Sequence, residues 1–146
     1  MKIERIDHVH ILVKDLEKAM RFFTDIMGTK FVGPIVLSDH SIAFDNSGLE
    51  LVAPSSIETP EHMEKMEASE GMFSIGFKVS NLDEAVEELE AKGIKYAWKG
   101  QIPGLRAAQI KLDAYNVWIE LVEYDHVPPV ALACLNKTQE VPFFNN

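Results

Sequence analysis

The sequence repeats a helix pattern after 66 residues. Each copy starts after a good helix N-cap, Asp15 or Asn81, and is followed by a glycine that can end the helix, Gly28 or Gly93. The apolar positions fall at the spacing of one helix face. The matching pairs are Leu16 and Leu82, Ala19 and Ala85, Met20 and Val86, and Phe23 and Leu89. Self-similarity of this kind predicts two copies of one structural unit.

Each predicted helix lies between an alternating strand and three shorter extended segments. In the first copy the strand is 6–13 and the later segments are 30–37, 40–44 and 49–52. In the second copy the strand is 72–79 and the later segments are 95–98, 105–112 and 117–122, with a loop predicted at 100–104. The sequence therefore predicts an α+β protein made of two tandem βαβββ modules.

Changes in composition set the predicted module boundaries. The first module is 1–53, and the second is 72–125. Between them, 54–71 is rich in Pro, Ser, Glu and Met and is predicted to be a linker, with one helical turn near 61–66. The tail 126–146 has weak periodicity and is predicted to pack over the body or a partner subunit.

Charge and cysteine content exclude several classes of function. The formal net charge is −9 and no basic stripe is visible, so no nucleic-acid partner is expected. Cys134 is the one cysteine, so no intrachain disulfide can form. No apolar run approaches the roughly 20 residues that span a membrane, and the first five residues have no apolar signal core. These features predict a soluble cytoplasmic protein without a membrane partner.

Two histidines and two glutamates are the candidates for chemistry. Alternation along the first strand puts His8 and His10 on one face, with Leu12. Glu50 and Glu120 each stand between apolar residues in the last strand of a module. Imidazole and carboxylate together suit a divalent cation. The alternatives are a strand histidine hydrogen-bonded to backbone and glutamates that face solvent.

Three stretches resemble the vicinal oxygen chelate superfamily, which has the glyoxalase, bleomycin-resistance and dioxygenase fold. They are Ile6-Asp7-His8-Val9, the following Val13-Lys14-Asp15-Leu16-Glu17-Lys18-Ala19, and Ile119-Glu120-Leu121-Val122. Within that superfamily the pattern is most similar to the methylmalonyl-CoA epimerase and glyoxalase I groups. The resemblance implies a U-shaped mixed sheet whose concave groove holds one divalent metal ion and the substrate.

The resemblance also implies which residues bind the metal. The corresponding positions are His8, Glu50, Ser74 and Glu120, and Ser74 stands where the family usually has a second histidine. A serine hydroxyl is a poor ligand for Zn, Ni, Co, Mn or Fe. Two interpretations remain: His8, Glu50 and Glu120 hold the metal, with His10 assisting, or the metal has been lost.

The resemblance implies catalytic roles for two residues, and position on the strands suggests further residues that line the groove. Glu50 and Glu120 are predicted to be catalytic, alternating between ligand and base. The residues predicted to bind a small oxygenated substrate are His10, Ser74, Gln109 and Trp118.

Three functions follow from the resemblance. The first is a metal-dependent isomerase, epimerase or lyase that works through an enediolate-like intermediate. The second is a metal-free protein that binds a small molecule on the same fold. The third, a ring-cleaving dioxygenase, requires His10 to replace the missing second histidine. A homodimer is predicted for all three.

Overall fold

Two βαβββ units follow one another in the computed structural model, as the repeat predicts. The structure describes residues 1–36, 40–45, 47–54, 70–102, 105–115 and 117–124. The first unit comprises β1 (Ile3–Leu12), α1 (Leu16–Met27), β2 (Val32–Val36), β3 (His40–Phe44) and β4 (Leu49–Pro54). The second comprises β5 (Gly71–Val79), α2 (Leu82–Ala91), β6 (Tyr96–Ile102), β7 (Leu105–Leu112) and β8 (Val117–Tyr124), with a 3₁₀ turn at Asp113–Tyr115.

All eight strands form one mixed sheet in the order β2-β3-β4-β1-β5-β8-β7-β6. Within each unit the first strand runs parallel to the last, β1 with β4 and β5 with β8. The two units join through the antiparallel pair β1 and β5 at the centre. The sheet curls into a half-barrel, which confirms the predicted α+β fold with a groove.

Both helices begin where the sequence predicts and cover the outer face of their own unit. The Asp15 carboxylate accepts a hydrogen bond from the Lys18 amide, and the Asn81 side chain accepts one from the Glu84 amide. Gly28 ends α1 in the left-handed conformation, at φ 70°. Helix α1 packs on a cluster with Val13, Ala43, Leu51 and Ala53, and α2 on one with Val79, Ala108, Ile110 and Leu121.

The opposite face of the sheet carries a third apolar cluster. Its buried members are Leu12, Ile42, Phe44, Val52, Ala107, Val122 and Tyr124. Because Leu12 belongs to this cluster and Ile11 packs against the α1 cluster, β1 alternates between the two faces as predicted. The side of β1 that bears His8 and His10 is therefore the face away from the helices.

The sequence prediction of a loop at 100–104 was wrong for 100–102, and 103–104 lie outside the described residues. Gly100, Gln101 and Ile102 are the end of β6 and pair with Ala107, Arg106 and Leu105 of β7. The pairing of β6 with β7 extends to Ile102 and Leu105. The predicted turn of helix at 61–66 and the tail 126–146 lie outside the described residues. Within the described part of the chain, no helix is long and apolar enough to span a membrane.

Each unit opens with an irregularity in its first strand at the same place in the repeat. On β1, Ile6 pairs with Phe77 and His8 with Gly76, so Asp7 is skipped in the register. The register also shifts where β5 passes from Ser74 to Met72, which skips Phe73, the residue 66 positions after Asp7. A bulge of this kind adds one residue to a strand and redirects its side chain.

Candidate metal centre

Four side chains from three strands of the sheet converge on one point. His8 and His10 come from β1, Glu50 from β4 and Glu120 from β8. Glu50 is the cross-strand neighbour of His10. Glu120 lies two strands away from His8. Gly76 of β5 lies between them, because it pairs with His8 on one side and with Glu120 on the other. One chain therefore supplies the whole cluster.

The distances between the polar atoms are short. Nε2 of His8 lies 3.1 Å from Nε2 of His10 and 2.9 Å from Oε2 of Glu120. Nε2 of His10 lies 3.4 Å from the same Glu120 oxygen. Oε2 of Glu50 is 3.0 Å from Nε2 of His10 and 3.6 Å from Nε2 of His8.

These distances fit a bound divalent cation. Metal bonds of about 2.0–2.1 Å place adjacent ligand atoms of a tetrahedral or octahedral site roughly 2.8–3.4 Å apart. The triangle formed by His8, His10 and Glu120 has edges of 2.9, 3.1 and 3.4 Å. The three side chains could therefore bind an ion with little rearrangement.

Gly76 makes room for the His8 ring. A Cβ atom on Gly76 would lie 2.3 Å from Cε1 of His8 and 2.6 Å from its Nδ1 and Nε2 atoms. The imidazole therefore rests directly on the backbone of β5, and this is how it reaches Glu120 on the next strand. The His8 ring fills the space that a side chain at position 76 would need.

The Nδ1 atom of each imidazole, on the side away from the centre of the cluster, contacts another polar side chain. Nδ1 of His8 is 3.0 Å from Oδ2 of Asp7, and Nδ1 of His10 is hydrogen-bonded to the Ser74 hydroxyl. With both Nδ1 atoms engaged, both Nε2 atoms face the centre. Such second partners fix the orientation of metal-binding histidines.

Burial strengthens the electrostatic interactions in this cluster. His8 and His10 are 2% and 3% exposed, and the side chains of Glu50 and Glu120 are 9% and 12% exposed. Burial alone would lower the pKa of His8, but hydrogen bonds with Asp7 and Glu120 and the nearby Glu50 raise it to about 10. Although burial opposes the shift, the charges of His10 and His8 and the His8 hydrogen bond lower the pKa of Glu120.

Metal binding is expected to release at least about one proton at neutral pH. Below a pKa of about 10 the metal-free His8 ring carries a proton that the cation must displace. The apparent affinity should therefore rise roughly tenfold per pH unit from pH 7 towards that pKa and level off above it. Calorimetry in buffers of different ionisation enthalpy measures the released proton, and an affinity that does not change between pH 7 and 9 would contradict the expectation.

Comparison with known families identifies the fold. The family model described as Glyoxalase/Bleomycin resistance protein/Dioxygenase superfamily matches residues 7–112. The chain belongs to this superfamily. The resemblance found in the sequence is thereby confirmed.

Two curated relatives within the superfamily carry names of enzymes. Lactoylglutathione lyase of Schizosaccharomyces pombe is 29% identical over 154 residues, with 90% of this chain and 51% of the relative covered. Mitochondrial methylmalonyl-CoA epimerase of Mus musculus is 34% identical over 101 residues, with 64% of this chain and 56% of the relative covered. The chain thus spans about half the length of these relatives.

A solved structure in the superfamily has the same fold. It is a variant of Streptomyces coelicolor methylmalonyl-CoA epimerase in complex with 2-nitronate-propionyl-CoA. The TM-score is 0.72 at 22% identity, over 87% of this chain and 99% of that chain.

The residues predicted to bind substrate lie in and beside the cluster. Ser74 is 1% exposed and contacts His10 through its hydroxyl. Gln109 pairs with Glu120 in the register, and Trp118 pairs with Ser74. The Trp118 ring lies 5.6 Å from that of Phe73, centroid to centroid. Gln109 and Trp118 are both half-buried, and the substrate roles of all these residues stay predictions.

Sequence reasoning missed Asp7 as a partner of the cluster. Strict alternation would put Asp7 on the face opposite His8, but the bulge brings its carboxylate to the His8 ring. Tyr124 and Arg5 contact the same carboxylate. The one available signal was that an acidic residue directly precedes the histidine.

Proposed function

We propose that this protein is a divalent-metal-dependent enzyme that moves a proton at a carbon atom next to a thioester carbonyl. The observation that carries the proposal is the convergence of Nε2 of His8, Nε2 of His10 and a Glu120 oxygen within a buried cluster. These three groups lie within 4.8 Å of one another. A mixed nitrogen and oxygen set of this kind suits a borderline divalent ion.

His8, His10 and Glu120 would hold the cation. Glu120 suits this role because neighbouring imidazoles lower its pKa and keep it anionic. Two carboxylates, Glu50 and Glu120, balance the charge of a divalent ion between two neutral imidazoles. When bound, the ion would supply electrophilic polarisation of a substrate carbonyl oxygen.

Ser74 supports His10 in this proposal. The two residues are cross-strand neighbours, and the Ser74 hydroxyl bonds Nδ1 of His10. His10 then provides the second imidazole that position 74 lacks, from the strand next to it. The site keeps two nitrogen ligands although its second module contributes none.

Glu50 is the residue we assign to proton transfer. Its carboxylate borders the cluster at 3.0 Å from His10, and its side chain is 9% exposed. A carboxylate beside a polarised carbonyl can take a proton from the adjacent carbon and return it, with a general-base contribution of roughly 10²–10⁴-fold. Return of the proton to the same carbon by Glu50 exchanges its hydrogen with solvent, whereas return to the neighbouring atom isomerises the substrate.

The substrate class follows from what the names of the relatives have in common. Methylmalonyl-CoA and lactoylglutathione are both thioesters with a substituted carbon next to the carbonyl. Gln109 and Trp118 lie in register beside Glu120 and Ser74 and would border such a substrate. We therefore propose 2-substituted acyl thioesters as the class.

Metal content and isotope exchange together test this function. Purified protein, loaded in turn with Zn, Ni, Co, Mn and Fe, is incubated in D₂O with methylmalonyl-CoA and with lactoylglutathione. We expect close to one bound equivalent of metal and deuterium incorporation at the carbon next to the thioester, both absent from His8→Ala and Glu120→Ala. If the protein binds less than about a tenth of an equivalent of every metal, it is not a metal-dependent enzyme. The alternative, a metal-free protein that binds a small molecule, would then be favoured.

The quaternary structure and the cellular location that we propose are a homodimer and the cytoplasm. All four side chains of the cluster come from one chain, so the proposed chemistry does not depend on a partner subunit.

A further inference from the structure

We propose that Asp7 is a positioning residue that fixes the His8 imidazole, with Arg5 and Tyr124 holding Asp7 in turn. The hydrogen bond between Asp7 and the His8 ring can be tested without metal. The expected effect of Asp7 on metal affinity rests on the proposed function. Three groups outside the metal cluster thereby acquire a role in it.

The bulge in β1 creates the contact. Because Asp7 is skipped in the pairing of β1 with β5, two consecutive side chains, Asp7 and His8, are buried on the same side. Oδ2 of Asp7 lies 3.0 Å from Nδ1 of His8, and the Asp7 side chain is fully buried. Consecutive residues on a regular strand could not make this contact, because their side chains point to opposite faces.

The other oxygen of Asp7 is bound as well. The Tyr124 hydroxyl donates to Oδ1, and the Arg5 guanidinium lies 3.2 Å from the same atom. Arg5 also donates to the Tyr124 hydroxyl oxygen at 2.5 Å. Both carboxylate oxygens of Asp7 therefore have polar partners, as a buried carboxylate requires.

The carboxylate behind Nδ1 determines which nitrogen of the neutral His8 ring carries hydrogen. A carboxylate only accepts hydrogen bonds, so Nδ1 must donate, and the lone pair of the neutral ring is then on Nε2. Nε2 is the atom that faces His10 and Glu120. The hydroxyl behind His10 can donate or accept, so Ser74 does not impose a tautomer in the same way.

Asp7→Asn tests the inference, with Asp45→Asn as the matched control. Asp45 is also a buried carboxylate, 2% exposed, but it bonds Ser47 and the Leu49 amide within its own turn instead of the His8 ring. The first measurement is imidazole NMR of ¹⁵N-labelled, metal-free protein. We expect a strongly downfield, exchange-protected His8 Nδ1 proton in the wild type and in Asp45→Asn, and an upfield shift or loss of that signal in Asp7→Asn.

The second measurement is zinc affinity by competition with a chelator. Loss of such an outer partner typically weakens metal binding about 10–100-fold, so Asp7→Asn should do so while Asp45→Asn binds as the wild type does. Tyr124→Phe, which keeps the carboxylate, should give a smaller loss in the same direction.

The two measurements separate this inference from the proposed function. A wild type that shows the protected proton but binds no metal keeps the Asp7 contact and overturns the metal enzyme. An Asp7→Asn protein that folds, keeps the wild-type His8 proton signal and binds zinc as tightly as the wild type overturns the positioning role. Equal changes in Asp7→Asn and Asp45→Asn also overturn the positioning role, because the loss of either buried carboxylate would then act through the stability of the fold.

Discussion

Replacing Glu50 with Gln is expected to lower the rate of substrate deuterium exchange by about 10²–10⁴-fold while metal remains bound. Glutamine keeps the size of the side chain and can still hydrogen-bond at the 3.0 Å distance to His10, but it cannot accept a proton from carbon. His8, His10 and Glu120 are unchanged in this variant. Exchange rates in D₂O and metal content, measured on the same preparation, give the two readouts.

Glu120→Gln is the informative comparison for Glu50→Gln. The two glutamates occupy the same place in the two units, but Glu120 lies within the group of three ligands. Its amide variant should lose metal and activity together. If Glu50→Gln loses metal as completely as Glu120→Gln does, Glu50 is a ligand, and the assignment of proton transfer to it is wrong.

Gly76→Ala is expected to weaken metal binding by at least about a hundredfold. The added Cβ would lie 2.3 Å from the His8 ring, so the ring must leave its place over β5. Displacing a ligand should cost more than losing one of its outer partners, and crowding the site adds roughly 1–3 kcal/mol of destabilisation. Chelator competition gives the affinity, and thermal unfolding of the metal-free protein gives the stability.

Gly100→Ala provides the matched control. Gly100 is also a strand glycine, and a Cβ there would lie 2.3 Å from the Trp98 ring. Trp98 is 40% exposed at the edge of the sheet, so it can move without touching His8 or Glu120. This variant should bind metal as the wild type does. A Gly76→Ala protein that also binds metal normally would show that His8 is not needed where the structure puts it.

The fold could be predicted from the sequence because the helices carry local signals. Asp15 and Asn81 cap helices where the pattern places them, and the apolar positions repeat with the period of a helix. The end of β6 could not be predicted in this way. Gly100 and Gln101 have turn-like composition, and only their pairing with Ala107 and Arg106 makes them strand.

The site could be predicted less completely because its contacts depend on register. Alternation and the repeat singled out His8, Glu50 and Glu120, which the structure brings together with His10. The sequence does not reveal that His10 lies beside Ser74, since that requires the antiparallel pairing of β1 with β5. The bulge at Asp7 cannot be predicted either, because it depends on pairing with β5, whose residues Gly76 and Phe77 are far from Asp7 in the sequence.

The position of the cluster across the β1–β5 junction affects how the protein folds. His8 and Glu120 are 112 residues apart in the sequence and belong to different units. Neither unit alone contains the three ligands, so the binding site forms only after both units have folded and docked. Binding energy at such a site adds to the stability of the whole sheet instead of to one half. Partial unfolding of either unit would release the ion. The amount of metal retained during unfolding therefore measures how cooperatively the two units unfold.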